Sequence, residues 1–214
     1  MANPKIVSAE AWETARAALL AEEKRLTHEL DALAAKRRLL PMVEFENKYK
    51  FAGPRGAMTL YDLFDGRDQL VQYQFMDRGP DKFCPGCTGF TNNIATNALP
   101  YLHRLGVSWC TVSNMPLTQI EPYKAKMGWT IPFVSSHGTT FTADTGANDM
   151  FLLSVFLRDG NKIYRTYSTT HRGVDRLLFT SNILDLTPWG RQEEWEDSPD
   201  GWPRAKQRRQ SVES

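Results

Sequence analysis

The sequence predicts an α/β fold with a central mixed sheet flanked by helices, preceded by one long helix. Three observations carry that expectation. From residue 70 onward strand-like and helix-like segments alternate, the run FLLSVFLRDGNKIYRTYST reads as a β-hairpin, and apolar residues recur every seven positions from Trp12 to Leu40. Strands separated by helices favour parallel neighbours, whereas a hairpin contributes antiparallel ones, so the sheet has to be mixed.

Residues 9–40 carry the long helical pattern. Trp12, Leu19, Leu26, Leu33 and Leu40 form a stripe that Ala15 and Leu30 widen, with Ser8 suited to the N-cap and Pro41 to the stop. The stripe is narrow and the other faces are charged. Such a helix is marginal alone and needs a surface, either its own domain or a second copy of the chain, which makes a homodimer one expected arrangement.

A loop follows with Gly53, Pro54 and Gly56, and Asp65-Gly66 marks a turn. Leu70–Met76 alternates apolar and polar residues as a strand does. Cys87, Phe90, Ile94, Ala98, Leu102 and Leu105 then recur at helical spacing, and Pro100 divides them into helices near 85–96 and 99–105. Gly106 ends the second of these, and VSWCTVS is a strand. MPLTQIEPYKAKMGW is helical, with Pro116 in its first turn and Pro122 as an irregularity, and TIPFVSS is a short strand. The hairpin turns at Asp159-Gly160, and a last helix spans about 173–184. Residues 192–214 are polar and read as a loosely attached tail, in which KQRRQS is a short, solvated basic run. The expected organisation is a helical extension (1–41), an α/β domain (42–191) and the tail (192–214).

Composition removes several function classes. A net charge of +1 over 214 residues gives no bulk attraction to nucleic acid or anionic membranes. No apolar run reaches the length of a membrane span, and Glu10, Glu13 and Arg16 interrupt any secretory-signal core, so a cytoplasmic location is expected. The chain lacks a G-x-S-x-G elbow, a P-loop and a dinucleotide fingerprint.

The chemistry concentrates in DKFCPGCTGFTNN. There are three cysteines, and in a reducing compartment that is no disulfide framework. Cys110 sits in an apolar strand and reads as buried. The pair Cys84 and Cys87 follows a strand and opens a helix, with Pro85 suited to the first helical position. The helix N-terminus favours a thiolate on Cys84, expected to be the exposed nucleophile, with Cys87 one turn on as the resolving thiol. Phe83, Gly86 and Thr88 shape the motif, and Arg78 and Lys82 are near enough in sequence to favour the thiolate. Two other readings stay open. The thiols could be buried residues in a turn. They could also hold zinc or copper with a distant His137 or His171, although no second ligand pair is present.

Residues 40–191 resemble an uncharacterised, mainly bacterial, thioredoxin-like family. The matching text includes GPRGAMTLYDLFDGRDQLVQYQFM, CPGCTGF, EPYKAKMGWTIPFVSS, SVFLRDGNKIYRTYSTTHRGVD and LDLTPWGRQE. The resemblance implies a thioredoxin-like fold of peroxiredoxin-like lineage, with Cys84 at the attacking and Cys87 at the resolving position. Phe83 stands where thioredoxins usually carry Trp. GANDMFLLSVF lacks the proline that thioredoxins place before the strand facing the dithiol, while Pro132 resembles a proline of the peroxiredoxin-like branch.

The expected function is a thiol–disulfide oxidoreductase needing no cofactor beyond its own disulfide and acting on a protein or small-molecule thiol or disulfide. The alternatives are a thiol peroxidase, with Arg78 or Arg172 supplying the guanidinium, a non-catalytic binding or assembly module, and a metal-binding protein.

Overall fold

The computed structural model describes residues 3–204, which fall into two compact units. One is Leu40–Leu178. The other joins the N-terminal segment through Leu39 to the C-terminal segment from Phe179.

In the second of these, helix α1 (Ala9–Arg38) has the expected Ser8 cap, whose hydroxyl accepts from Ala11 N at 3.2 Å. It ends two residues before the expected Leu40. No residue of α1 is buried, and Trp12, Leu19, Leu26 and Leu33 are all exposed.

In Leu40–Leu178 the strands are β1 (Val43–Glu44), β2 (Phe51–Gly53), β3 (Gly56–Met58), β4 (Gln69–Phe75), β5 (Val107–Ser113), β6 (Phe133–Ser135), β7 (Leu152–Asp159) and β8 (Lys162–Thr169). Among the described residues they form one sheet in the order β1-β8-β7-β4-β5-β6-β2-β3. β4 is central, parallel to β5 on one side and antiparallel to β7 on the other. Helices α2 (Leu60–Leu63), α3 (Pro85–Asn92), α4 (Leu99–Arg104), α5 (Leu117–Met127) and α6 (Phe141–Asp144) connect the strands. A βαβ crossover leads from β4 to β5, and the β7–β8 hairpin closes on the other flank of β4. This is the expected mixed sheet flanked by helices, preceded in the chain by a long helix.

The sheet separates two cores because side chains alternate along β4. Tyr73 and Phe75 join Cys84, Cys87, Phe90 and Trp109 on one face. Leu70 joins Cys110, Val112, Phe141 and Phe156 on the other. The second core is held by aromatic edges: the Phe51 and Phe141 rings lie 4.9 Å apart and those of Tyr49 and Phe141 5.1 Å apart. The polar positions of β4 are buried too. Gln72 Nε2 donates to Gln74 Oε1 at 3.4 Å, and Gln74 Nε2 donates to Thr142 Oγ1 at 3.3 Å.

Several expectations need correcting. The loop around Gly53 and Gly56 is a short hairpin, β2–β3, which pairs with β6 through Ala52 and Ser135. The helix expected at 85–96 stops at Asn92, whereas the second one, expected at 99–105, is α4, with Pro100 in its first turn. Asp159 pairs with Lys162, so the hairpin turns at Gly160-Asn161, one residue later than expected. The helix expected at 173–184 is two pieces, a 3-10 segment His171–Leu177 and helix α7 (Phe179–Leu184), divided by extended Leu178.

Beyond α7, the Arg191 guanidinium clasps Asp185 with both contacts at 2.6 Å, and the Glu196 carboxylate accepts from Arg191 N and Glu193 N. Arg204 Nη1 donates to the Glu193 and Glu196 carbonyls, so 192–204 forms a hydrogen-bonded turn system. KQRRQS lies outside the described residues.

Candidate functional site

Strand β4 is covered on both edges, and its C-terminal end is where the chain delivers the cysteine pair. After Met76 the loop folds back, with Asp77 bridging to Phe83. Asp77 Oδ1 accepts from Gly79 N at 2.9 Å, and Gln119 Nε2 donates to the Gly79 carbonyl at 3.1 Å. The loop thus enters α3 at a fixed angle.

Cys84 is the N-cap of α3 and Pro85 its first residue. The Cys84 sulfur accepts from Cys87 N at 3.3 Å, and its carbonyl accepts from Thr88 N at 2.9 Å. A sulfur in the capping position satisfies an amide that the helix leaves without a partner. Pro85 spends no amide there. Gly86 is exposed, and a Cβ on it would meet Cys84 Sγ at 3.9 Å, ordinary van der Waals contact.

The two thiols differ in surroundings. Cys87 is 1% exposed and Cys84 9% exposed, so Cys84 is less open than the sequence suggests. The cause is the packing of Met76 over it: the Cys84 thiol donates to Met76 Sδ at 3.6 Å. Cys87 Sγ accepts from Met76 N at 3.5 Å. Burial pushes the Cys87 thiol well above its ordinary pKa, against hydrogen bonds from Met76 N and the Tyr73 hydroxyl that favour the thiolate. Burial likewise raises the Tyr73 phenol. On the far face, Cys110 is fully enclosed and its thiol is pushed up to about 12.

Both cysteines border a cleft of about 400 Å³. Tyr73, Phe90, Phe151 and Val174 give it largely apolar walls. Exposed His171 and Arg172 border the same cleft. His171 has φ of 49°, in the left-handed region, and its ring lies 5.9 Å from that of Phe151. Arg172 Nε donates to Asp175 Oδ2 at 3.3 Å.

An aromatic buttress fixes the other side of the motif. The Phe83 and Tyr123 rings stack at 3.5 Å, and the Tyr123 and Thr88 hydroxyls are 2.7 Å apart. Thr88 Oγ1 also donates to the Cys84 carbonyl at 2.9 Å. Trp129 meets the Tyr123 ring edge-on and donates to Asn92 at the end of α3. Helix α5 is thereby tied to both ends of α3.

The structure therefore brings Cys84, Gly86, Cys87, His171 and Arg172 to one cleft, with Phe83 and Thr88 against Tyr123 on the other side of the motif. Arg78 and Lys82 are exposed and do not border the cleft. His137 is also elsewhere, after β6, with Nδ1 3.0 Å from the Asn114 carbonyl. Among the described residues no group of three or more His, Cys, Asp and Glu could hold a metal ion. No helix among them is long and apolar enough to cross a membrane. The sequence reading missed Met76, Tyr73, Tyr123 and Phe151. Met76 ends an alternating strand and looks like core, and Tyr123 is 35 residues from its partner, so no spacing announces it.

A family model described as a bacterial protein of unknown function (DUF899) matches residues 1–209. No curated protein matches the chain. Among solved structures, the chain is similar to peroxidoxin BcpB from Mycobacterium tuberculosis at 14% identity and a TM-score of 0.46, covering 66% of this chain and 94% of that one. A thiol:disulfide interchange protein from Bacteroides sp. gives 11% identity and a TM-score of 0.47, with 68% and 88% covered. The bacterioferritin comigratory protein of Xanthomonas campestris gives 18% and 0.43, with 63% and 90% covered.

Proposed function

The chain belongs to this bacterial family of unknown function, and within it we propose that the protein is a thiol–disulfide oxidoreductase using the Cys84–Cys87 pair. One observation carries the reading: Cys84 caps α3 with its sulfur on the cleft while Cys87 lies buried one turn behind it. In that arrangement the Cys84 thiolate attacks one sulfur of a substrate disulfide, forms a mixed disulfide and releases the other sulfur as a thiolate. The Cys87 proton passes to a departing thiolate. Cys87 then attacks Cys84 Sγ, closes the intramolecular disulfide and releases the second substrate thiol. An external dithiol restores the reduced pair. Keeping Cys87 protonated until this stage suits a resolving thiol, because early ionisation would create a second nucleophile.

The partner is a protein or small molecule carrying a disulfide, and the apolar cleft favours one with an apolar group beside the sulfurs. The peroxidase alternative draws support from Arg172 alone, since the Thr88 hydroxyl is committed to Cys84 O and Tyr123. The deciding experiment is turnover of insulin and a small aromatic disulfide, run beside hydrogen peroxide, on wild type, Cys84→Ser and Cys87→Ser. The expected result is disulfide turnover lost in Cys84→Ser, with Cys87→Ser trapped as a mixed disulfide. Peroxide turnover without disulfide turnover would replace the reading with a peroxidase. Inactivity of the wild type on every substrate would favour a binding module.

A further inference from the structure

We propose that reduced Cys84, reduced Cys87 and Met76 form a three-sulfur site for a soft monovalent metal ion, of which Cu(I) is the biological representative. The three residues are in mutual contact, one contact between side chains and two from backbone amides to sulfur. Met76 Sδ lies 3.6 Å from Cys84 Sγ, Met76 N donates to Cys87 Sγ at 3.5 Å, and Cys87 N donates to Cys84 Sγ at 3.3 Å. All three border the same cleft, which gives an ion a way in. Met76 could have packed its thioether into the surrounding carbon, as most core methionines do. It is instead directed at a thiol.

The chemistry of this donor set is selective. Thiolate and thioether sulfurs favour Cu(I), whereas calcium and magnesium require six or more oxygen ligands, and the one carboxylate on the cleft, Asp175, accepts from Arg172. Zinc wants four nitrogen, sulfur or oxygen ligands, and a thioether is a poor substitute for one of them. Metal–thiolate bonds are about 2.3 Å, so an ion centred among three sulfurs holds them ~4 Å apart. The Cys84–Met76 pair, at 3.6 Å, needs an adjustment of only a few tenths of an ångström. Binding changes no oxidation state: two S–H bonds break, two protons leave, and two thiolates and one thioether donate to the ion. An intramolecular disulfide removes both thiolates, so the metal and the oxidised pair exclude each other. The site does not rest on the oxidoreductase reading, because a protein that turns over no disulfide could still hold the ion.

The test uses the full-length reduced protein without oxygen, titrated with Cu(I) against a chromophoric Cu(I) chelator. The expected result is one ion per chain, with a three-sulfur shell by X-ray absorption. Cys84→Ser and Cys87→Ser abolish competition with the chelator. Met76→Leu keeps both thiols and a similar volume, and lowers affinity by about tenfold or more, the loss usual when a supporting group at a metal site is removed. Failure of wild type to compete, a two-sulfur shell, or equal affinity in Met76→Leu would each overturn the proposal. Tighter retention of Zn(II) than of Cu(I) would do the same. The X-ray absorption arm reads wild type, so it decides even if Met76→Leu does not fold.

Discussion

At Cys84 a single sulfur is both a helix cap and a wall of a cleft, and the two roles constrain each other. It satisfies the Cys87 amide while its own proton goes to Met76. Cys87 and Cys110, by contrast, are buried and have raised pKa values. Thiol labelling at pH 8 should therefore modify Cys84 first, with Cys87 and Cys110 protected in the folded protein; mass spectrometry of digested, briefly alkylated protein checks it. The raised Cys110 thiol also affects stability. A folded-state pKa above the unfolded one means the folded state holds its proton longer, so this contribution is intact below about pH 8.5 and is lost as pH rises towards 12. Stability should fall by up to about 1.4 kcal/mol per pH unit from this group across that window. Cys110→Ala should flatten the slope, as denaturant melts at pH 8, 9 and 10 would show. Gly86→Ala should fold normally, because the new methyl only touches Cys84 Sγ, and should slow reaction of that sulfur with bulky disulfides.

Among the elements, α3 owes its position to α5 as much as to the sheet. The Phe83–Tyr123 stack, the Thr88–Tyr123 hydrogen bond and Trp129 on Asn92 span the two helices. Tyr123→Phe keeps the ring stack and removes one hydrogen bond, so it should cost about 1 kcal/mol by chemical denaturation while leaving the fold intact. None of this was readable from YKAKMGW, whose residues look like an amphipathic helix with a stray aromatic. The strand, Pro85 and the helix that follows were legible because each has a local physical signature: alternation, a missing amide, helical spacing. The β2–β3 hairpin was not, because three-residue strands carry no period and their stability comes from pairing with β6. The continuous helix expected at 173–184 failed for a related reason. Apolar spacing was right, but Leu178 is extended and packs on the dithiol core instead of continuing the turn.

Across the molecule the central sheet organises everything around the dithiol, and its integrity rests on the aromatic core on the opposite face. Phe141 is fully buried among Phe45, Tyr49 and Phe51. Phe141→Ala should cost about 3–5 kcal/mol, read as a shifted denaturant midpoint with the m-value kept. The mixed topology was legible in the sequence because hairpin and crossover impose it. The burial of Gln72 and Gln74 was hidden, since a polar residue alternating with apolar ones implies a wet face when neither neighbour nor layer is known. The two-faced sheet has one more consequence, for the thiol inventory. Cys110 faces away from Cys84 and Cys87 across a continuous hydrogen-bonded wall, too far round for its sulfur to reach either. An oxidant able to close the dithiol must leave one thiol behind in every folded chain, and the count of titratable sulfhydryls should drop from three to one and stop there.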